Sequence, residues 1–379
     1  MKKCLLLFSC LVLFTAGCEE AASKEPPTAK KTEAQEVESS AKEVFMKNVT
    51  ANPVDLNIVS QAVDPVSCGG SETMVAPSFV TDEFIYFNGH DGERGVSWIK
   101  ELSRKSGACE QIYEGEGIGN LTGYGDSLYF SSYDITKGSN VDWEIRELDL
   151  KNRKVSVVTN GSSMNDTQPP AVEATGAGIS WIEYETAGTT VTSKLFEMDG
   201  SSKEAELKKT GTLDEAGEQD GEFFALQQGS GPEGILLYKS LFKDGQKEME
   251  LSLVKEDDKS RALLEEDGIL GFAASNKHVA YTATGYFKAQ NLEKTQPTWI
   301  YRVDPQLTFD APVFLSEDLV MFRYSMNQLF LADLAKGEVY PLTGFERLVS
   351  KPVMHNGLVS YAYVAGDESL FFDVLELKK

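Results

Sequence analysis

A short apolar strand signature returns seven times along this chain: FIYF from Phe84, LYF from Leu128, ISWI from Ile179, ILLY from Ile235, VAYT from Val279, LVMF from Leu319 and LVSY from Leu358. Successive starts lie 44, 51, 56, 44, 40 and 39 residues apart. Units of this size cannot bury an apolar face alone, so they must stack, and a period of roughly 40–45 residues with several strands per unit is that of four-stranded propeller blades. Further strands follow each signature. WEIRELDL from Trp143 passes through the Lys151-Asn152-Arg153-Lys154 turn into VSVVT from Val155, and LFLADL from Leu329 passes through Lys336-Gly337 into VYPLT from Val339. Proline recurs at one phase, with Pro77, Pro170, Pro312 and Pro352 each seven to nine residues ahead of a signature position. Proline has no N–H to give a ladder, so a repeated proline marks a repeated strand entrance.

The expectation is an all-β chain folded as a seven-bladed β-propeller over residues 44–379. Six and eight blades are the alternatives, because the interval from Ile179 to Ile235 has room for a degenerate blade. The stretch Gly211 to Gly221 reads there as a loop. The final unit, from PVMHNG to SLFFDVLEL, lacks a fourth strand, and VDLNIVS from Val54 to Ser60 has the alternation to supply it. Pairing of that segment with the last blade closes the ring and removes an edge that invites aggregation.

The unit LFLADLAKGEVYPLT, from Leu329 to Thr343, resembles the blades of the Tol-system translocation protein and of prolyl-oligopeptidase-type propellers. The resemblance implies the fold and leaves the task open, since propellers of those kinds serve as assembly partners, binding platforms and gates.

The first residues carry an address. Lys2 and Lys3 precede an almost wholly apolar run from Cys4 to Gly17, which suits a signal peptide over residues 1–17 and is shorter than the roughly 20 residues a spanning helix needs. The run ends in Thr15-Ala16-Gly17-Cys18, which resembles the lipobox of bacterial lipoproteins, with Thr15 where Leu is more usual. That resemblance implies acylation, palmitate included, at Cys18 and a lipid-anchored place in the bacterial cell envelope. Glu19 in place of Asp favours the outer membrane if the host is Gram-negative. Residues 18–43 are the lipidated cysteine and a tether of Glu, Lys, Ala, Ser, Thr and Pro that cannot bury enough apolar surface to order itself. Such a tether of about 25 residues spans roughly 25–30 Å. Residues 34–48 place Val37, Val44 and Phe45 on one side of a short helix.

With Cys4 and Cys10 in the signal peptide and Cys18 acylated, the body retains Cys68 and Cys109. In an oxidising compartment they form a disulfide; two buried free thiols are the other reading, and no histidine stands at ligand spacing for a metal. The formal charge of −23 disfavours nucleic acid and anionic lipid, which draw on concentrated Lys and Arg.

Catalytic signals are weak. His90, His278 and His355 sit beside turns in different units, at positions read as facing solvent, and no Gly-x-Ser-x-Gly elbow is present. Asp257-Asp258 and Glu265-Glu266 read as solvated loop faces, and Asp134 to Asp142 lacks EF-hand spacing. GEGIGN, from Gly115 to Asn120, has no following helix and reads as a connection between units. No catalytic residue, metal or cofactor is assigned. Tyr286, Phe287 and Trp299 flank a polar stretch from Gly285 to Thr298, read as a loop that presents aromatic side chains to a partner. The reading is a membrane-tethered scaffold that binds a protein or envelope component through one face of a disc. A propeller hydrolase or lyase acting on a carbohydrate or lactone is the alternative.

Overall fold

The computed structural model describes residues 42–48, 56–63, 68 and 75–377, apart from short stretches near 136, 139, 165, 217, 231, 257, 295 and 305. The signal segment, Cys18 and the tether through residue 41 lie outside the described residues.

Seven sheets form seven blades, at residues 77–115, 117–163, 172–214, 221–265, 271–302, 309–341 and 348–377. Each recurring signature is the second strand of its blade. Phe84–Asp91 and Ser127–Tyr133 show why these segments are so apolar: the second strand is interior to the sheet, and both of its faces pack against neighbouring blades. Alternate residues therefore serve different seams. Leu128 and Phe130 join Phe79, Tyr86 and Ile99 of blade 1, whereas Tyr129 between them joins Ile179 and Trp181 of blade 3. Seven apolar clusters result, one for each seam between blades.

The prolines fall at blade entrances. Pro77 opens the first strand of blade 1, and Pro312 sits where the register of Phe309–Ser316 shifts against its neighbour, a position that needs no ladder N–H. Gly211 through Asp214, expected as loop, instead continue the strand Ala205–Asp214. The turn between the third and fourth strands also repeats. Asp149 Oδ1 accepts the Lys151 and Asn152 amides at 2.8 and 3.1 Å, and Asp199 Oδ1 accepts those of Ser201 and Ser202, both at 2.8 Å. The turn ends in a left-handed residue, Arg153 (φ 59°), Lys203 (φ 59°) or Gly337 (φ 70°). Glycine is the unstrained choice there. In two blades a long cation takes the place and reaches the preceding blade: Arg153 Nη2 lies 2.6 Å from Glu101 Oε1, and Lys203 Nζ lies 2.7 Å from Glu147 Oε1.

The ring closes through Leu56–Val63, which pairs antiparallel with Leu370–Leu377 as the fourth strand of blade 7. Ser60 donates to Asp373, Tyr361 donates to the other oxygen of that carboxyl at 2.8 Å, and Gln61 Nε2 donates to the Ser103 carbonyl of blade 1 at 3.0 Å. Cys68, between the closing strand and blade 1, is disulfide-bonded to Cys109 in the outermost strand of blade 1, with Cα atoms 5.3 Å apart.

The helix read over 34–48 is replaced, in its described part, by two short parallel strands. Val44–Phe45 add a fifth strand to blade 5 and Lys47–Asn48 a fifth strand to blade 6. The Val44 and Met46 amides donate to the Thr298 and Ile300 carbonyls at 2.8 and 2.9 Å, and Met46 is buried in the seam between the two blades. Available edge strands offer backbone hydrogen bonds that an isolated seven-residue helix cannot match.

Candidate functional site

In an antiparallel four-stranded blade the hairpin between second and third strands lies at the same end as the connector to the next blade. In blade 5 this is seen directly, where Thr284 of the hairpin bridges Thr308 of the connector and the Gly285 amide donates to the Leu307 carbonyl at 2.8 Å. That end of the disc carries two distinctive arrangements.

The first is apolar. The blade 6 hairpin turns through Ser325 (φ 49°) and Met326 (φ 63°). Two successive left-handed residues normally call for Asn-Gly, and each L-residue here costs on the order of 1–2 kcal/mol. The turn nevertheless holds Met326 out at 50% exposure, and Phe345, on the connector to blade 7, is 71% exposed. Asn327 locks hairpin to connector, with its Nδ2 donating to the Glu346 and Arg347 carbonyls at 3.0 Å each.

The second is a pocket of about 150 Å³ at the seam of blades 2 and 3. It is lined by Trp143, Gly161, Ser162, Ser163, Gln168 and Pro170 from blade 2 and the connector that follows it, and by Glu183, Tyr184 and Glu185 from blade 3. The indole of Trp143 lies over Gly161, where a Cβ would stand 2.4 Å from a ring carbon, so only glycine seats this wall. Glu183 accepts the Trp181 indole N–H at 2.9 Å, and burial holds its carboxyl above the usual carboxylate range. The Tyr184 hydroxyl donates to the Phe224 carbonyl at 3.2 Å, and burial pushes its pKa up to about 12. Lys194 is 2.5 Å from Glu185. Ser162 donates to Asp142, while the Ser163 hydroxyl, in a residue 2% exposed, has no hydrogen-bond partner among the described residues.

A third feature faces the central channel. Glu173 lies on the innermost strand of blade 3, Val172–Ala174, and burial raises its carboxyl to about 7 against a weaker pull from Lys351 at the entrance to blade 7 across the ring.

The aromatic residues expected to face a partner do not do so. Phe287 is fully buried and stacks on Phe322 with centroids 4.2 Å apart; Trp299 is buried edge-on to His278. Tyr286 is half-buried and donates to Glu266 at 2.7 Å, in a cluster where Tyr281 and Lys288 also meet that carboxylate. The polar stretch is not one loop, because Tyr286–Asn291 is the third strand of blade 5 and turns Phe287 and Ala289 inward. Glu266, expected on a solvated face, is the hub of this cluster. The histidines also separate. His278 is buried with Nδ1 3.0 Å from the Glu317 carbonyl, His355 packs on Phe79 at 4.3 Å between centroids, and His90 meets Ser97 at 3.1 Å. Gly115 ends blade 1 and Gly117 opens blade 2, so Glu116 alone connects them and the rest of GEGIGN, from Gly117 to Asn120, lies in the first strand of blade 2. Among the described residues no group of three or more His, Cys, Asp or Glu is arranged to hold a metal ion.

No protein-family model matches the sequence, and no curated protein matches it. Solved structures do match the fold, which is that of a β-propeller. The propeller domain of the Trilobed protease from Pyrococcus furiosus aligns with a TM-score of 0.53 at 11% identity, over 80% of this chain and 95% of that one. TolB from Acinetobacter baumannii aligns at 0.41 and 10% identity, over 78% of this chain and 64% of that one. An oligogalacturonate lyase from Vibrio parahaemolyticus aligns at 0.42 and 10% identity, over 87% and 99%. The likeness is one of fold. The Pyrococcus domain is described as having an open velcro topology. Here Leu56–Val63 completes the final blade.

Proposed function

We propose that this chain is a lipid-anchored extracytoplasmic scaffold, acylated at Cys18, that binds a protein or envelope component through the hairpin-and-connector end of its disc. The Thr15-Ala16-Gly17-Cys18 sequence supports the anchor, and the Cys68–Cys109 disulfide suits an oxidising compartment. The observation that carries the binding role is the Met326–Phe345 pair. Two large apolar side chains are held out at one end of the blade 6 to blade 7 junction, Met326 on a turn of two left-handed non-glycine residues and Phe345 on the connector, and exposed apolar side chains and local strain of this kind gather where a surface is used.

The test is crosslinking in intact envelopes followed by affinity purification, comparing the native chain with Cys18→Ala and with the double variant Met326→Ser, Phe345→Ser. A partner set that is lost in both variants supports the proposal. Retention of all partners by the double variant, or no specific partner for an abundant membrane-bound protein, refutes it. One observation favours the enzymatic alternative, a hydrolase or lyase acting on a carbohydrate or lactone: Glu173, with a pKa near that of a neutral-pH acid–base group, faces the channel. Turnover by the native chain that Glu173→Gln abolishes would establish that reading.

A further inference from the structure

We propose that the strand closing the ring is a pH-sensitive latch, in which the carboxyl of Asp373 holds Leu56–Val63 firmly when it carries a proton and loosely when it is charged. The inference goes beyond the reading of the disc as a binding body and does not rest on it.

The latch is built from one row of side chains. Ser60 of the closing strand stands directly across from Asp373 on one side, and Tyr361 on the other. Each donates a hydroxyl to one oxygen of the carboxyl. Asp373 is only 6% exposed. A carboxylate so placed is ordinarily paired with a cation, and among the described residues none acts on this one.

The charges around it are engaged elsewhere or absent. The closing strand, LNIVSQAV, has no ionisable side chain. On Leu370–Leu377, Glu376 falls on the opposite face of the sheet from Asp373. On Leu358–Val364 the ionisable groups are Tyr361 and Tyr363, and burial holds Tyr361 so far above its ordinary pKa that it stays a donor. Across the seam, Met321 and Leu331 of blade 6 share an apolar cluster with Tyr361 and Leu375, and the same faces of their strands carry Arg323 and Asp333. Arg323 is paired with Asp310 at 2.5 Å and Asp333 with Lys336 at 2.7 Å. On the outer strand of blade 6, Tyr340 donates to Glu338. On the connector, Glu346 acts on Tyr361, and Arg347 is paired with Glu368.

Burial therefore raises the Asp373 carboxyl above its ordinary 3.8, against a weaker pull from the two hydroxyls. When the closing strand lifts away, Ser60 leaves with it and Leu370–Leu377 becomes an edge, so the carboxyl regains water and titrates near its ordinary value. The closed ring binds the proton more tightly than the open one, and by linkage the proton holds the ring closed. Closure is firmest below the ordinary value of 3.8 and loosens as pH rises through the raised one. Once protonated, the carboxyl can itself donate to Ser60, whose hydroxyl lies 3.4 Å from that of Tyr363. Gln61, the next residue of the strand, passes the change to blade 1 through its bond to the Ser103 carbonyl.

The test is hydrogen exchange of the detergent-solubilised full chain, disulfide intact, in steps from about pH 4.5 to about pH 7.5, with rates corrected for the intrinsic pH dependence of exchange. Protection of Ile58–Val63 should fall at least about fivefold across that range, while Val141–Asp149, interior to blade 2, stays constant within about twofold. Asp373→Asn, neutral at every pH, should abolish the dependence. Ser60→Ala and Tyr361→Phe each remove a donor that favours the charged form, so each should move the transition to higher pH, which a merely structural loss would not do. These two variants also decide the matter if Asp373→Asn fails to close. The latch is overturned if native protection is flat, if Asp373→Asn keeps the dependence, or if neither hydroxyl variant moves the transition upward. A fall shared equally by Val141–Asp149 would belong to the whole ring and to Glu173, and would overturn it too.

Discussion

Replacement of both Cys68 and Cys109 by serine should lower stability by an amount that follows from their separation. The disulfide closes a loop of sequence separation 41, for which the chain-entropy relation gives about 4 kcal/mol at 25 °C. The compact unit runs from Ala41 to Lys379, so roughly 340 residues at ~2.1 cal/mol/K each give an unfolding entropy near 0.7 kcal/mol/K and a fall in Tm of about 6 °C. The loss should also be local. Cys68 lies between the closing strand and blade 1, so without the bond the pairing of Leu56–Val63 with Leu370–Leu377 is held by its ladder, Ser60 and Gln61. Scanning calorimetry of the native and double-serine chains gives the size of the effect, and hydrogen exchange gives its place. The reasoning fails if the two Tm values agree within a degree, or if protection falls evenly around the ring instead of first at Ile58–Val63.

The two interblade cations should respond differently to glycine. Arg153→Gly relieves about 1 kcal/mol of left-handed strain but leaves Glu101, 3% exposed and with one oxygen lacking a hydrogen-bond partner, as a buried unpaired charge, so a net loss of about 2–4 kcal/mol is expected in urea unfolding. Lys203→Gly should cost less, because Glu147 keeps the hydroxyls of Ser127 and Tyr129 at 2.6 and 3.2 Å; an equal cost would contradict the argument. Glu173→Gln should stabilise by less than about 1 kcal/mol at pH 5 and by about 3 kcal/mol at pH 8. Its folded pKa of about 7 is raised from 4.5, so the folded state binds more protons between those values, and the wild type loses stability as pH rises through that window. Thermal unfolding across pH checks it, and a pH-independent difference would refute it. Met46→Ala, which empties part of the seam between blades 5 and 6, should cost about 2–4 kcal/mol by denaturant titration, whereas a residue of a merely adhering tail would cost almost nothing.

The parts of this fold that were legible in the sequence are those where local pattern and global environment agree. A second strand packed on both faces must be apolar at nearly every position, so FIYF, ISWI and LVMF stand out against any background. The closing strand was legible for a related reason, since its alternation remained after every blade had been supplied with its own strands. The third strand of blade 5 was not, because the inward set of YFKAQN is Phe287, Ala289 and Asn291, with a single large apolar member, and its outward set is polar. Such a segment has the period of a strand but the composition of a loop. Val44–Phe45 and Lys47–Asn48 are shorter than any period and are strands only because the edges of blades 5 and 6 await them. The pocket was illegible in another sense: Trp143 and Glu183 are forty residues apart and meet only when two blades stack.

That last point bears on where such a fold can keep chemistry. The seam between blades 5 and 6 is filled by Phe287, Tyr301, Phe309, Phe322 and Phe330, which leave little space for polar groups. The seams on either side of blade 3 are built differently. Between blades 2 and 3 lie the pocket and the Lys203–Glu147 bridge; between blades 3 and 4, Lys239 Nζ meets Glu222 at 2.8 Å and Glu250 at 3.1 Å, and Lys209 meets Glu222 at 3.1 Å. Burial works against the charge on Lys239, yet its bonds to Glu222 and Glu250 outweigh that and hold its pKa above the ordinary value. A network of this kind adds less stability than well-packed apolar residues of the same volume would. Leu56–Val63 completes blade 7 and the Cys68–Cys109 bond anchors the segment after it to blade 1, so both polar seams belong to a closed ring. The cost in packing falls on blade 3, which shares both of these seams and supplies Lys203 to one and Lys209 to the other.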